Sequence, residues 1–174
     1  MKEKRIATLL GLALTILAPS FTPLALPAQA RAHKPVEATM VIKAPPEEVF
    51  QLIQESRNKE PHRRKLISHE NGVAVIEEKF DDLPIIGKTT CTYKEVETPG
   101  KKIEYSMVNS DKLKAFEGVW DLSPMDGGKA TLVKLSSYTE PKLNVPFAKE
   151  IACNSALKDV HRRLANLKHW SEES

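Results

Sequence analysis

The spacing of apolar positions changes character twice along the chain, and each change marks an element. Between Glu37 and Ala44, Ala38, Met40 and Ile42 alternate with Thr39, Val41 and Lys43, which predicts a first strand. Pro45 and Pro46 stop it. Glu47 and Glu48 follow where carboxylates oppose the positive end of a helix dipole, and Val49, Phe50 and Ile53 form one apolar face, so a short helix ending near Ser56 is expected. Alternation then returns. Lys65–Glu70 and Val73–Phe80 flank Asn71-Gly72, a pair that accepts the positive φ angles of a tight hairpin turn. Ile85–Val96, Lys102–Asn109, Lys114–Leu122 and Ala130–Thr139 continue the strands, with Thr98-Pro99-Gly100 and Met125-Asp126-Gly127-Gly128 as turns. From Pro146 to Trp170 the spacing becomes helical: proline is preset for a first helical turn, and Val160, Leu164 and Leu167 make one stripe.

The order is strand, helix, six strands, helix, without internal repeat or linker. Short connections favour antiparallel neighbours, so the fold class is α+β: a curved antiparallel sheet of about seven strands wrapped on a long C-terminal helix. A single helix closing a curved sheet leaves room for a cavity between them, the kind of place where small apolar molecules bind.

Residues 1–30 read as a secretory signal peptide. Lys2, Lys4 and Arg5 give a positive start, Ile6–Leu17 is uncharged and apolar, and Ala28-Gln29-Ala30 supplies small residues for cleavage. A retained membrane anchor is the competing reading, but Pro19, Pro23 and Pro27 interrupt the second half of the apolar run. Export to a periplasm or equivalent lumen is therefore expected, with residues 31–36 as a flexible leader, 37–170 as the folded domain and 171–174 as a polar tail.

Cleavage changes the charge picture. The whole chain carries 26 basic and 23 acidic residues and has a pI near 8.8. Without residues 1–30 the balance is 23 to 22, so neither nucleic acid nor an anionic membrane surface is implied. His62-Arg63-Arg64-Lys65 is a short basic cluster without interleaved aromatics and reads as a solvated loop or strand start. No stable membrane span remains, and a monomer is expected.

Three segments carry a family resemblance: Ala44-Pro45-Pro46-Glu47-Glu48-Val49-Phe50 opening the first helix, Phe116-Glu117-Gly118-Val119-Trp120-Asp121-Leu122, and the Pro141–Pro146 approach to the last helix. Together they resemble the START-like, helix-grip (SRPBCC) superfamily over about Val36 to Trp170, most closely its polyketide cyclase/dehydrase and coenzyme Q-binding branch. The resemblance implies an apolar cavity between sheet and helix that holds lipids, isoprenoid quinones, hormones or polyketides. Members of that superfamily include both enzymes and carriers.

Strand alternation names the expected lining. Glu117 and Asp121 share one face, which turns Phe116, Gly118, Trp120 and Leu122 inward; Ile103, Tyr105 and Met107 oppose Glu104 and Ser106, and Thr131, Val133 and Leu135 oppose Lys134. The candidate ligand-binding set is Tyr93, Tyr105, Met107, Phe116, Trp120, Val133 and Leu135 on the sheet with Leu157, Val160 and Leu164 on the helix. Tyr93 and Tyr105 are its polar handles, each an apolar ring with a hydroxyl for a ligand oxygen. Glu77 and Glu78 are adjacent in a strand and point to opposite faces, so they make no paired-carboxylate site; one of them is placed at the cavity mouth.

His33, His62, His69, His161 and His169 show no metal-ligand spacing, and His161-Arg162-Arg163 is assigned to a wet helix face. Neither a metal, a cofactor nor a catalytic set is expected. Cys91 shares a strand face with Tyr93, and Cys153 shares a helix face with Leu157, Val160 and Leu164, so an oxidising compartment would permit a disulfide between helix and sheet; the other reading is two small buried thiols. The functional expectation is an exported binding protein or carrier for a small apolar ligand. Its alternative is a cyclase/dehydratase-type enzyme using the same cavity.

Overall fold

The computed structural model describes residues 34–143 and 145–173; the expected signal segment and the leader residues 31–33 lie outside these. Seven strands form one antiparallel sheet: β1 (Val36–Ile42), β2 (Arg64–Glu70), β3 (Val73–Leu83), β4 (Gly87–Thr98), β5 (Lys102–Ser110), β6 (Leu113–Met125) and β7 (Ala130–Pro141). Helix α1 (Pro46–Lys59) follows β1, and α2 (Ala148–Glu172) closes the described chain. Strands β2 to β7 form a meander, and β1 pairs with β7, giving the order β1-β7-β6-β5-β4-β3-β2. Together the long helix and curved sheet make the helix-grip architecture that the strand-and-helix order predicts.

Local chemistry explains the turns. Asn71 and Gly72 adopt φ of 51° and 74° between β2 and β3, the paired positive angles expected of that hairpin. Inward-facing positions agree with the alternation: Phe116, Trp120 and Leu122 of β6, Ile103 and Tyr105 of β5, and Thr131, Val133 and Leu135 of β7 are buried, while Glu104 and Glu117 are exposed. A bulge at Val108 resets β5 against β4, leaving Met107 only partly buried at the edge of the core.

Two helix boundaries differ from expectation. Helix α1 runs past Ser56 to Lys59 because Arg57 turns inward, where it pairs with Glu95 and Glu97 and gives the last turn a packed anchor. Helix α2 starts at Ala148 rather than Pro146. Phe147 is left-handed, with φ of 62°, and cannot belong to a right-handed helix; its carbonyl instead accepts the bond from Ile151 N–H. At the other end α2 continues two residues beyond Trp170.

The side chains of α2 decide where it touches the sheet. Val160, Leu164 and Leu167 in its C-terminal half are large and fully buried against the core. In its N-terminal half the corresponding face carries Ala148, Ala152, Ser155 and Ala156, which are too short to fill the same gap. The helix therefore rests on the sheet at one end and leaves space at the other.

Candidate functional site

That space is a cavity of about 370 Å³. Ala152, Ser155 and Ala156 form its helix wall, and Leu113, Phe116, Ser137, Thr139 and Pro141 of β6 and β7 form its sheet wall. Phe80, Leu83, Pro84 and Ile86, from the end of β3 and the loop after it, close one side. Charged groups rim the opening: Arg63, Lys79, Asp81, Asp82, Lys158, Asp159 and Arg162. An apolar interior with a few convergent polar groups, in the lower part of the ~300–1,000 Å³ range of small-molecule sites, is the arrangement expected of a binding cavity.

Of the sequence-predicted lining residues, Phe116 reaches this cavity. Tyr93, Tyr105, Trp120, Val133, Leu135, Val160 and Leu164 are buried in the core beside it, and Met107 sits at the core edge. Leu157 is only partly buried and stands outside both the core cluster and the cavity wall. The rings of Phe80, Tyr93 and Tyr105 pack around Phe116 with centroids 5.1–5.5 Å away, so the aromatic wall is filled by its own members.

Both polar handles are engaged within the protein. Tyr93 Oη donates to Glu78 Oε2 at 3.0 Å, and Tyr105 Oη donates to the Ser136 carbonyl at 3.4 Å. Burial pushes both phenols up from their ordinary value, and the Glu78 carboxylate adds to the shift at Tyr93. Both remain neutral donors at physiological pH.

The disulfide that an oxidising compartment would permit is not formed in this structure. Cys91 and Cys153 are both free thiols; Cys91 is buried in β4, but Cys153 is exposed on α2. Helical periodicity does put Cys153 in line with Val160 and Leu164, yet its side chain is exposed in the half of α2 where small side chains replace the large ones. Burial pushes the Cys91 thiol up to about 12, so it stays protonated.

Beside the cavity lies a charge cluster that the basic residues were not expected to build. Glu78 has no exposed surface and faces inward with Ala74, Ile76 and Phe80. Three guanidinium groups surround it: Arg163 Nη2 at 2.9 Å from Oε1, Arg63 Nε at 2.9 Å from Oε1 and Arg64 Nε at 3.4 Å from Oε2. Asp159 receives Arg163 Nε and Arg162 Nη2, each at 2.5 Å, and Arg63 Nη2 at 3.2 Å. Arg64 opens β2, as a strand start requires, but the solvated reading of Arg63, Arg64 and Arg163 is corrected, because each neutralises a carboxylate that the fold has taken out of water.

Burial pushes Glu78 and Asp159 up, but the arginines outweigh it. Arg163, Arg64 and Arg63 hold Glu78 below its usual range, and Arg163, Arg162 and Arg63 hold Asp159 well below. These carboxylates are fixed anions. A second buried group joins α1 to β4: Arg57 Nη2 lies 2.6 Å from Glu95 and 2.5 Å from Glu97. Burial pushes Glu95 up despite that pairing.

One signal for the charge cluster was present in the chain. Glu78 falls on the apolar parity of β3, and Asp159 and Arg163 continue the spacing of Ala152 and Ala156 along α2. Among the described residues, no group of three or more His, Cys, Asp or Glu side chains is placed to hold a metal ion, and no helix is long and apolar enough to cross a membrane.

The fold has many relatives among solved structures. The ZhuI aromatase/cyclase of a Streptomyces species superposes with a TM-score of 0.68 at 14% identity, covering 80% of this chain and 93% of that one. A START superfamily protein from Mycobacterium smegmatis gives 0.61 at 14% identity, with 80% and 97% coverage. A Thermus thermophilus protein gives 0.59 at 18%, with 79% and 93% coverage. At these identities the likeness is one of fold. No curated protein matches the sequence. The profile of one family, described as polyketide cyclase/dehydrase and lipid transport, matches residues 34–172, nearly the whole described chain. The chain therefore belongs to the polyketide cyclase/dehydrase and lipid transport family.

Proposed function

We propose that this protein is an exported binding protein or carrier for a small apolar ligand, held between the sheet and the N-terminal half of α2. The observation that carries this reading is the cavity of about 370 Å³ under the small side chains Ala152, Ser155 and Ala156. Family membership supports it, and the segment at residues 1–30 supports export.

A cyclase/dehydratase acting in the same cavity is the second reading, favoured by Asp159 and Arg63 on the cavity wall. The electrostatics favour carriage over proton transfer. A carboxylate held far below its ordinary range by three arginines is a weak base near neutral pH, and Tyr93 and Cys91 hold their protons too firmly to act as bases. Their chemistry is fixed rather than poised.

Native mass spectrometry of the gently purified protein, before and after organic extraction, tests the carrier reading. The expected result is a mass increment lost on extraction and an apolar compound in the organic phase. A protein that carries no extractable molecule and takes up none of a panel of lipids, quinones and polyketides would contradict it.

A further inference from the structure

The two edges of the sheet are built differently. Strand β2, at one edge, carries the exposed polar side chains Lys65, His69 and Glu70, and a bulge at Ile67 breaks its register with β3. Charges and bulges of this kind keep an edge from pairing with another chain. Strand β1, at the other edge, holds one charge, Glu37, and no bulge: its seven residues stay in unbroken register with β7. Among the described residues, no backbone hydrogen bond from another element reaches the outer side of β1.

Its side chains divide by parity. Val36, Ala38 and Met40 pack against the core yet stay only partly buried, while Glu37, Thr39 and Val41 are exposed on the opposite face, Val41 at 44%. This sequence is complementary to itself. In an antiparallel pair about a two-fold axis at Thr39, Val36 meets the partner's Ile42, Ala38 meets the partner's Met40, and Glu37 meets the partner's Val41. Opposed residues then lie on the same face, so the apolar inner sets join. An axis at Ala38 would pair only Val36–Met40, and one at Met40 only Ala38–Ile42.

Charge agrees with that register. Glu37 stands diagonal to the partner's Lys43 on the outer face, a separation of ~7–8 Å between backbones that long side chains span. Among the described residues Lys43 makes no ion pair, and Glu37 reaches only Lys134, at 4.0 Å.

We propose that β1 is a self-association edge, through which two copies of this chain pair antiparallel with Thr39 on the two-fold axis and join their sheets into one. Backbone hydrogen bonds, apolar cross-strand pairs and two Glu37–Lys43 ion pairs hold it. It takes the place of the monomer expected from the chain. An interface of seven residues a side is small, so the dimer forms reversibly and with concentration.

Sedimentation equilibrium between micromolar and millimolar concentrations tests this, with the purified protein and Thr39→Lys. Thr39 is exposed, so the lysine leaves the fold intact while setting two like charges opposite each other at the axis. The parent's average mass is expected to rise from one chain toward two, and that of the folded variant to stay at one. Oxidative cross-linking fixes the register, in a Cys153→Ser background that removes the exposed native thiol. Thr39→Cys should give a disulfide-linked dimer; Val41→Cys should not, because its two copies stand about four residues, ~14 Å, apart along the strands. A parent that stays at the mass of one chain throughout overturns the proposal. So does a mass rise that persists in folded Thr39→Lys, or cross-linking as efficient through Val41→Cys as through Thr39→Cys.

Discussion

Replacing Glu78 by leucine is expected to cost about 3–5 kcal/mol of folding stability, a large share of the roughly 5–15 kcal/mol that holds a domain of this kind together. The carboxylate is completely buried and is the shared partner of Arg63, Arg64 and Arg163. Without it, the direct ion pairs left among the described residues are those of Arg163 and Arg63 with Asp159 and of Arg64 with Glu60 at 3.9 Å, so positive charge stays inside with less counter-charge. Tyr93 loses its acceptor as well. Tyr93→Phe alone should cost about 1.5–3 kcal/mol, the worth of a hydrogen bond to a charged group. The double variant Glu78→Leu/Arg163→Met should lose less than the two single losses together, because the second change removes a charge the first left unpaired.

The same cluster sets an acid limit. Glu78 and Asp159 bind protons less readily folded than unfolded, so their stabilisation is present above the ordinary carboxylate values of 4.5 and 3.8 and is lost as pH falls below them. Glu95 has the opposite sign, since its carboxyl is pushed up in the folded state and protonation there favours folding. Glu95→Gln should accordingly cost less than Glu78→Gln. Urea titrations of these variants between neutral and acid pH measure both effects; a Glu78→Leu loss below about 1 kcal/mol would mean that the cluster is not an anchor.

Gly118→Ala is expected to cost about 3 kcal/mol, at the upper end of what overpacking a core does. Gly118 pairs with Tyr105 across β5 and β6, and the tyrosine ring folds over it. A β-carbon at this position would overlap the Tyr105 ring and the Ser136 carbonyl oxygen at separations that real side chains do not show. The ring could turn away, but the carbonyl belongs to β7, held in register by its neighbours on both sides. Tyr105→Ala should therefore relieve only part of the loss. Thermal melting of Gly118→Ala, of Tyr105→Ala and of the two combined decides the matter, and a Gly118→Ala melt within about 0.5 kcal/mol of the parent would refute the packing.

The sheet and both helices were legible because their signals are local. Parity along β3, β5, β6 and β7, the Asn71-Gly72 pair and the acidic first turn of α1 each act within a few residues. The site was legible only in outline. Arg57, Arg63, Arg64 and Arg163 carry a charge that suggests solvent, and their partners Glu78 and Glu95 lie on other elements, so that only the apolar parity of Glu78 and the helical spacing of Asp159 and Arg163 pointed to them. Tyr93 and Tyr105 were rightly turned inward, but inward does not mean toward a ligand; their hydroxyls meet Glu78 and Ser136 instead. The cavity itself follows from side-chain size along α2, where alanines give way to Val160 and Leu164. That pattern is visible in the chain once the helix is known to lie on the sheet.

Cis-parinarate fluorescence, titrated into the protein and into its Ala152→Trp variant, bears most directly on whether this cavity is where an apolar molecule is held. Ala152 lines the cavity, and a tryptophan there would fill much of it. The expected result is saturable binding to the parent protein, weakened at least about tenfold, or ~1.4 kcal/mol, in a folded Ala152→Trp variant. Absence of saturable binding to the parent, or equal binding to both proteins, would contradict a ligand site under the N-terminal half of α2.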